Sequence, residues 1–329
     1  MNPSRSLLSA TRRASSQAIK GVASTRWVWQ QISREWSDAE LLVLTYHRVG
    51  NRAGNAPISE ETFRAQISWL GSRCEFMDPD DLQGFLAGDK PTTTPTVLLT
   101  FDDGHRCLAE TVCPVLREHG IRAIAFLATE AISGGLYLWP DEVRARILGN
   151  RAFEIDCLQA GSGDAISRLD QADRLIHRMK AVSDAERREI LETLRSATTL
   201  SLERSPMISW ADARSMADTF HWGGHTHAHP ILSRLDADAA RREICRGRDV
   251  IEAETGQDVI HFAYPNGRAG DFSDMTQRIL RDEGFVSAFT TEPGYVAVTD
   301  DPMRLNRCPS SASSLRDFAW MTARPSWTN

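Results

Sequence analysis

Val97-Leu98-Leu99-Thr100-Phe101 is an unbroken strand-length run that stops on two acids and a glycine, Asp102-Asp103-Gly104. A short apolar run bounded by a turn signal reads as a buried strand. A helical stretch follows to His119, Gly120 is a suitable stop for it, and Ile121 to Leu127 reads as another strand. Strand, helix and strand in succession make a βαβ unit, with parallel strands and a right-handed crossover. In such folds reactive groups gather at the carboxyl ends of the strands, where Asp102 and Asp103 stand.

The same alternation recurs along the chain. Leu41 to Tyr46 is a short buried strand, and Ser59 caps a helix whose apolar positions are Phe63, Ile67 and Leu70. Lys90 to Pro95 is a Thr/Pro linker. Further on, Ala240, Ile244, Gly247 and Ile251 share one helix face that ends at Gly256. Val259–Tyr264 and Phe285–Thr290 read as strands flanking a helix over Met275–Asp282. The intervening stretch, about 140–206, is polar and charge-rich. It holds a capping box, Ser183 with Glu186, ahead of Ile190, Leu191 and Leu194, and reads as a helical insertion. The expected fold is α/β and barrel-like, with a basic leader over 1–36 and one domain over 37–329.

That leader carries Arg5, Arg12, Arg13, Lys20, Arg26 and Arg34 and no acid before Glu35. It has no continuous apolar core of the signal-peptide kind. Two readings stand: a basic amphipathic helix on a membrane surface, with Val22, Trp27, Trp29 and Ile32 as contacts, or a loosely packed leader. No apolar run approaches the roughly 20 residues of a membrane span. The six cysteines form no CxxC pair and are expected to be reduced, as in a cytoplasmic protein. A net charge of −6 offers no basic surplus for a nucleic-acid partner.

Three clusters carry chemistry. In the first, Asp102 and Asp103 repel each other unless a cation or proton sits between them. Adjacent side chains point in different directions, so one can bind a metal while the other meets a water; a bare Asp-Asp-Gly turn is the bland alternative. The second is Gly223-Gly224-His225-Thr226-His227-Ala228-His229-Pro230, with three histidines in five residues. Imidazole is a favoured ligand for zinc and its relatives. His225 and His229 converge if the segment makes a helical turn, whereas an extended strand presents all three on one face. Two histidines and one aspartate leave coordination positions open, which is the pattern of a catalytic metal site and suits hydrolysis of an amide or ester. The third cluster, Phe262-Ala263-Tyr264-Pro265-Asn266-Gly267, is a strand followed by a turn that can form a pocket wall and offer a backbone N–H to an oxyanion.

In this order the clusters resemble the polysaccharide deacetylase family, also called the NodB-homology group. The matching stretches are TFDDG at Thr100–Gly104, HTxxH-P at His225–Pro230 and FAYPxG at Phe262–Gly267. LTYHRV at Leu44–Val49, LYLWPDE at Leu136–Glu142, GFVSAFTTEPG at Gly284–Gly294 and LNR at Leu305–Arg307 extend the resemblance over roughly 41–308. It implies a distorted (β/α) barrel holding one divalent ion, zinc by expectation. Asp103, His225 and His229 would be its ligands and Asp102 the base, with the Asn266 backbone amide on the oxyanion. The implied substrate is an N-acetylated glycan or glycolipid. The LTYHRV stretch resembles the circularly permuted branch associated with exopolysaccharide deacetylation, in which an early histidine completes the site; His47 is that position.

The chain also departs from the pattern. Ala263 stands where many members have an arginine that orients the catalytic aspartate, so Arg307 is expected to supply the guanidinium. A late Leu-x-x-x-His motif has no counterpart after Arg307, which puts the acid's role on His47. Asn266 replaces a frequent aromatic, and His105 receives no role. Trp139, Tyr264, Pro265 and Asn266, with Arg307, are expected at the substrate or just behind the residues that touch it. Two rival readings are a sugar-binding module on the same fold and a metal-free amidohydrolase for ureide-like molecules; retention of the Asp-His-His set weighs against both.

Overall fold

The computed structural model describes residues 40–50, 58–92, 94–150, 167–200, 205–312 and 314–323. The basic leader lies outside them. Nine strands form one sheet: β1 Glu40–Tyr46, β2 Glu75–Phe76, β3 Thr96–Phe101, β4 Ala123–Leu127, β5 Phe220–Gly224, β6 His261–Ala263, β7 Ser287–Phe289, β8 Val296–Ala297 and β9 Cys308–Pro309. Their order is β7-β6-β5-β4-β3-β1-β8, with β2 on β3 and β9 on β1. Every pairing is parallel except β1 with β8.

The sheet curls into a distorted barrel. The segment from Leu305 to Cys308 spans the seam, bridging β7 through Phe289↔Leu305 and β1 through Leu44↔Cys308. Period-two alternation sorts the strand residues. Leu41, Val43, Leu98, Ile124, Phe126 and Phe289 fill the interior, while Leu42, Leu44, Val97, Leu99 and Ala123 meet the helices outside. On β3 the inward line continues from Leu98 through Thr100 to Asp102, so the period that buries the core also aims a carboxylate into the barrel mouth.

Eleven α-helices lie among the described residues: α1 Glu60–Gly71, α2 Leu82–Leu86, α3 Cys113–Glu118, α4 Thr129–Gly134, α5 Trp139–Gly149, α6 Arg168–Ala181, α7 Asp184–Ala197, α8 Trp210–Ser215, α9 Ala237–Thr255, α10 Asp274–Asp282 and α11 Leu315–Ala323. Their starts are chemical. Ser59 caps α1 by accepting from the Thr62 N–H, and Asp236 caps α9 through Ala239. Helix α9 buries Ala240, Ile244, Gly247 and Ile251 and ends at Gly256 with φ 72°. One expected helix differs: α3 is preceded by a π-helical turn, Leu108–Val112. Pro114 has no N–H to return to the Glu110 carbonyl, so regular α spacing cannot run through it.

Helices α5, α6 and α7 form the expected insertion, with a core of their own around Val143, Ile147, Ala172, Leu175, Met179 and Leu191. Ser183 accepts from the Glu186 N–H, one of the two bonds of a capping box. Trp139 belongs to that core and also reaches the barrel mouth, joining the two. Among the described residues no helix is long and apolar enough to cross a membrane.

Candidate active site

At the end of β3 the chain turns through two consecutive left-handed residues, Asp103 at φ 79° and Gly104 at φ 88°. A non-glycine residue there is strained, and such strain persists only where the surroundings hold it. Gly104 cannot be replaced cheaply, since any side chain is strained at that φ. The turn sends the two carboxylates in different directions.

Asp102 faces the barrel axis and is 1% exposed. Arg307, 0% exposed, grips it with both Nη atoms, at 2.6 and 2.7 Å. The guanidinium is itself fixed: Nε donates to the Thr290 carbonyl at 2.7 Å, Nη1 to Thr100 Oγ1 at 3.2 Å, and the plane lies against Phe126 and Phe289. Burial would raise the Asp102 pKa, but the charges of Arg307, His225 and His47 outweigh it and hold the carboxyl below its ordinary range. Ala263, where an arginine was absent from the sequence pattern, sits in the barrel interior, and its carbonyl accepts from His225 Nδ1 at 2.7 Å.

That bond orients the ring so that Nε2 faces Asp103. Burial opposes protonation of His225, but Asp103 and Asp102 favour it, so without an ion Nε2–H donates to Asp103, and a bound ion would take the place of that proton. His225 Nε2, His229 Nε2 and Asp103 Oδ1 converge: each nitrogen is 3.5 Å from the oxygen, and the nitrogens are 3.2 Å apart. A tetrahedral ion with bonds of about 2.0–2.1 Å separates its ligands by roughly 3.3 Å. The donor set therefore fits one divalent ion in both chemistry and spacing. Asp103 is held well below the usual carboxylate range; burial opposes this, but hydrogen bonds from His105 and His225 prevail. Burial and the neighbouring His225 push His229 down to about 3, so its imidazole is neutral and fit to ligate.

His227 does not join the set. Its Nδ1 is 2.8 Å from Thr129 Oγ1, and its ring lines a different cavity. The histidine segment is neither an extended strand nor a regular helix: Thr226 and His229 have φ of 65° and 55°. Helix α9 shapes it. Gly247 lets the helix approach so closely that a Cβ would meet the Thr226 carbonyl carbon at 2.8 Å. One turn earlier, Glu243 accepts from the His227 and Ala228 N–H groups at 3.1 and 2.8 Å.

His47 lies just past β1, is exposed, and places Nε2 3.9 Å from Asp102 Oδ2. Trp139 donates from Nε1 to the His229 carbonyl at 3.0 Å. Asn266, with φ 63°, lines the cavity, but Tyr264 does not: its ring is buried against Phe272 and its hydroxyl donates to the Met303 carbonyl at 2.8 Å. Pro265 likewise is not among the lining residues. Tyr264 and Pro265 thus shape the turn from behind, because alternation along β6 sends Tyr264 outward.

Residues without a role in the sequence reading also gather here. His105 Nε2 is 3.0 Å from Asp103 Oδ2, the oxygen that does not face the histidine pair, and so braces the carboxylate. Arg48, Asp141, Arg144 and Lys180 complete a cavity of about 400 Å³ that opens over both aspartates, His225 and His229.

A family model described as polysaccharide deacetylase matches residues 89–156 and 178–288. The curated Bacillus subtilis (strain 168) protein YxkH is 28% identical over 108 residues, which are 32% of this chain and 38% of YxkH; the chain thus spans under half the length of that relative. Among solved structures, the Streptococcus pyogenes deacetylase PplD in complex with acetate superposes with a TM-score of 0.61 at 17% identity, covering 87% of this chain and 99% of PplD. IcaB from Ammonifex degensii superposes at 0.57 with 22% identity, covering 87% and 97%. These superpositions show a shared fold, and the family match includes both the Asp102-Asp103 turn and the histidine segment. The chain belongs to the polysaccharide deacetylase family.

Proposed function

We propose that this chain removes N-acetyl groups from a carbohydrate by metal-assisted hydrolysis. The observation that carries the reading is the convergence of Asp103, His225 and His229 beside a separately held Asp102, all under one open cavity. A bound divalent ion, zinc by the ligand chemistry, supplies Lewis acidity at the acetyl carbonyl and its attacking water.

The chain's own residues do the rest. Asp102 accepts the proton of the attacking water; its grip by Arg307 leaves it ionised and aimed. The Asn266 backbone N–H stabilises the oxyanion that develops on the acetyl oxygen. His47, next to Asp102 at the cavity mouth, donates a proton to the departing nitrogen, because an amine anion is a very poor leaving group. Amide and water thus become acetate and a free amine on the sugar. His47 in the LTYHRV stretch is the position expected of the exopolysaccharide-type branch. N-acetylhexosamine units of a polysaccharide, an oligosaccharide or a lipid-linked sugar are the proposed substrates.

Elemental analysis of the purified chain should find one divalent ion, and acetate release from N-acetylhexosamine oligomers should stop on chelation and return on metal add-back. Full activity in the chelated protein refutes the metal's role. Absence of acetate release from a panel of oligomers and lipid-linked sugars, with metal bound, refutes the deacetylase reading.

His47→Ala should retain metal and lower turnover on sugar amides by roughly a hundredfold or more, the usual worth of a positioned acid. An acetyl ester with a good leaving group should suffer far less, since its departing oxygen needs no proton. Equal losses on both substrates, or none on either, remove His47 from this role.

A further inference from the structure

The hydrolytic reading leaves three cations of the cavity unused, Arg48, Arg144 and Lys180, and the last two come from the insertion. Lys180 stands in the last turn of α6 and lines the cavity beside Asn266 and Thr291. Its ammonium donates to Asn266 Oδ1. Among the described residues it has no carboxylate within 4.0 Å. An ammonium carries three donors, and a half-buried one without a counter-charge is costly to keep. Burial draws Lys180 below the ordinary lysine range, with Asp271 pulling the other way.

The other two cations of the wall have carboxylates within reach. Arg48 and Arg144 share the same wall and share one carboxylate, Asp141; Arg144 also reaches Asp173 on the outer side. Of the remaining acids in the cavity, Asp102 is answered by Arg307 and Asp103 belongs to the metal set. Arg48, Arg144 and Lys180 therefore line one wall, and Lys180 is the member of it with no ion pair among the described residues.

We propose that Lys180 is a specificity residue that binds an anionic group, a carboxylate or a phosphate ester, carried on the acetamido sugar or its neighbouring unit. The insertion then selects among glycans and does not merely cover the barrel. The acetamido part of this substrate rests on the deacetylase reading; the anion site does not.

Ligand-observed NMR titration of the metal-loaded protein separates the two. The probes are N-acetylglucosamine, N-acetylglucosamine 6-phosphate and N-acetylmuramic acid. At least one anionic sugar should bind about tenfold or more tighter than the neutral one, the worth of one charge-assisted hydrogen bond. Lys180→Gln should cut that preference to under about threefold, and Lys180→Arg should keep most of it. Preference for the phosphate alone, or for both acids, identifies the group. Equal affinity for all three sugars in the unsubstituted protein overturns the proposal. So does a preference that survives Lys180→Gln but vanishes on chelation, since the anion is then on the metal. An intact preference with no acetate released from any glycan refutes the deacetylase reading and leaves the anion site standing.

Discussion

Asp102→Asn should keep the metal and lose acetate release by roughly a hundredfold or more. The substitution is nearly isosteric, so the amide oxygen still accepts from one Arg307 Nη. The second bond is lost because the amide NH2 cannot accept, and the turn at Asp103 and Gly104 keeps its shape. What disappears is the lone pair that takes a proton from water. Asp103→Asn changes the same chemical group one residue away and should do something else. Its Oδ1 faces His225 and His229 at 3.5 Å, so loss of its charge weakens the ion's hold. The two variants are distinguished by metal content after dialysis, measured beside turnover at saturating metal. Asp102→Asn should be loaded and slow; Asp103→Asn should be depleted, and added metal should recover part of its turnover. Equal metal loss in both would show that the carboxylates share the ion and would end the division of labour.

That division was only partly legible in the sequence. The Val97–Phe101 strand could be read because it is buried on both faces and stops abruptly on polar residues. The same holds for β1. Period two then says that Asp102 and Asp103 diverge, but not which one meets the histidines; the family resemblance made that choice, and the distances agree with it. The two-residue strands β8 and β9 left no pattern, because their pairing is dictated by β1 rather than by their own residues. Glu243 did leave a trace: an acid one turn before Gly247, on the edge of an otherwise apolar face, where the helix must approach another backbone. His105 is two residues from the aspartate it braces, and a buried imidazole directly after a strained polar turn is a signal that could have been used. Lys180 left none. Nothing in the helical periodicity of α6 says which end of the barrel the insertion covers, and a lysine in a last turn is ordinarily read as complementing the helix dipole. Tyr264 lies behind the turn for a simple reason: Asn266 of the same motif lines the cavity, but strand alternation turns the tyrosine ring outward.

The Arg307–Asp102 contact joins positions 205 residues apart, and its removal should be the most damaging change to the fold itself. Arg307 is 0% exposed and Asp102 1%, so neither charge has water to fall back on. Arg307→Ala leaves the carboxylate buried and unpaired, which typically costs about 3–5 kcal/mol. Arg307→Lys should also hurt, because one ammonium cannot hold both carboxylate oxygens and the Thr290 carbonyl at once. Chemical denaturation in the chelated protein measures this without the stabilisation that a bound ion adds. The charge explanation and a plain packing loss then predict different double mutants. If the unpaired carboxylate is the cost, Asp102→Asn should recover much of the stability lost in Arg307→Ala, and the two changes should couple strongly. If the cost is the cavity left between Phe126 and Phe289, the two changes should simply add. Additive stabilities would therefore overturn the assignment of Arg307 as the charge partner that keeps Asp102 ionised. Strong coupling, with turnover already lowered in Arg307→Lys at full metal occupancy, would tie the stability of the barrel mouth to the aim of its base.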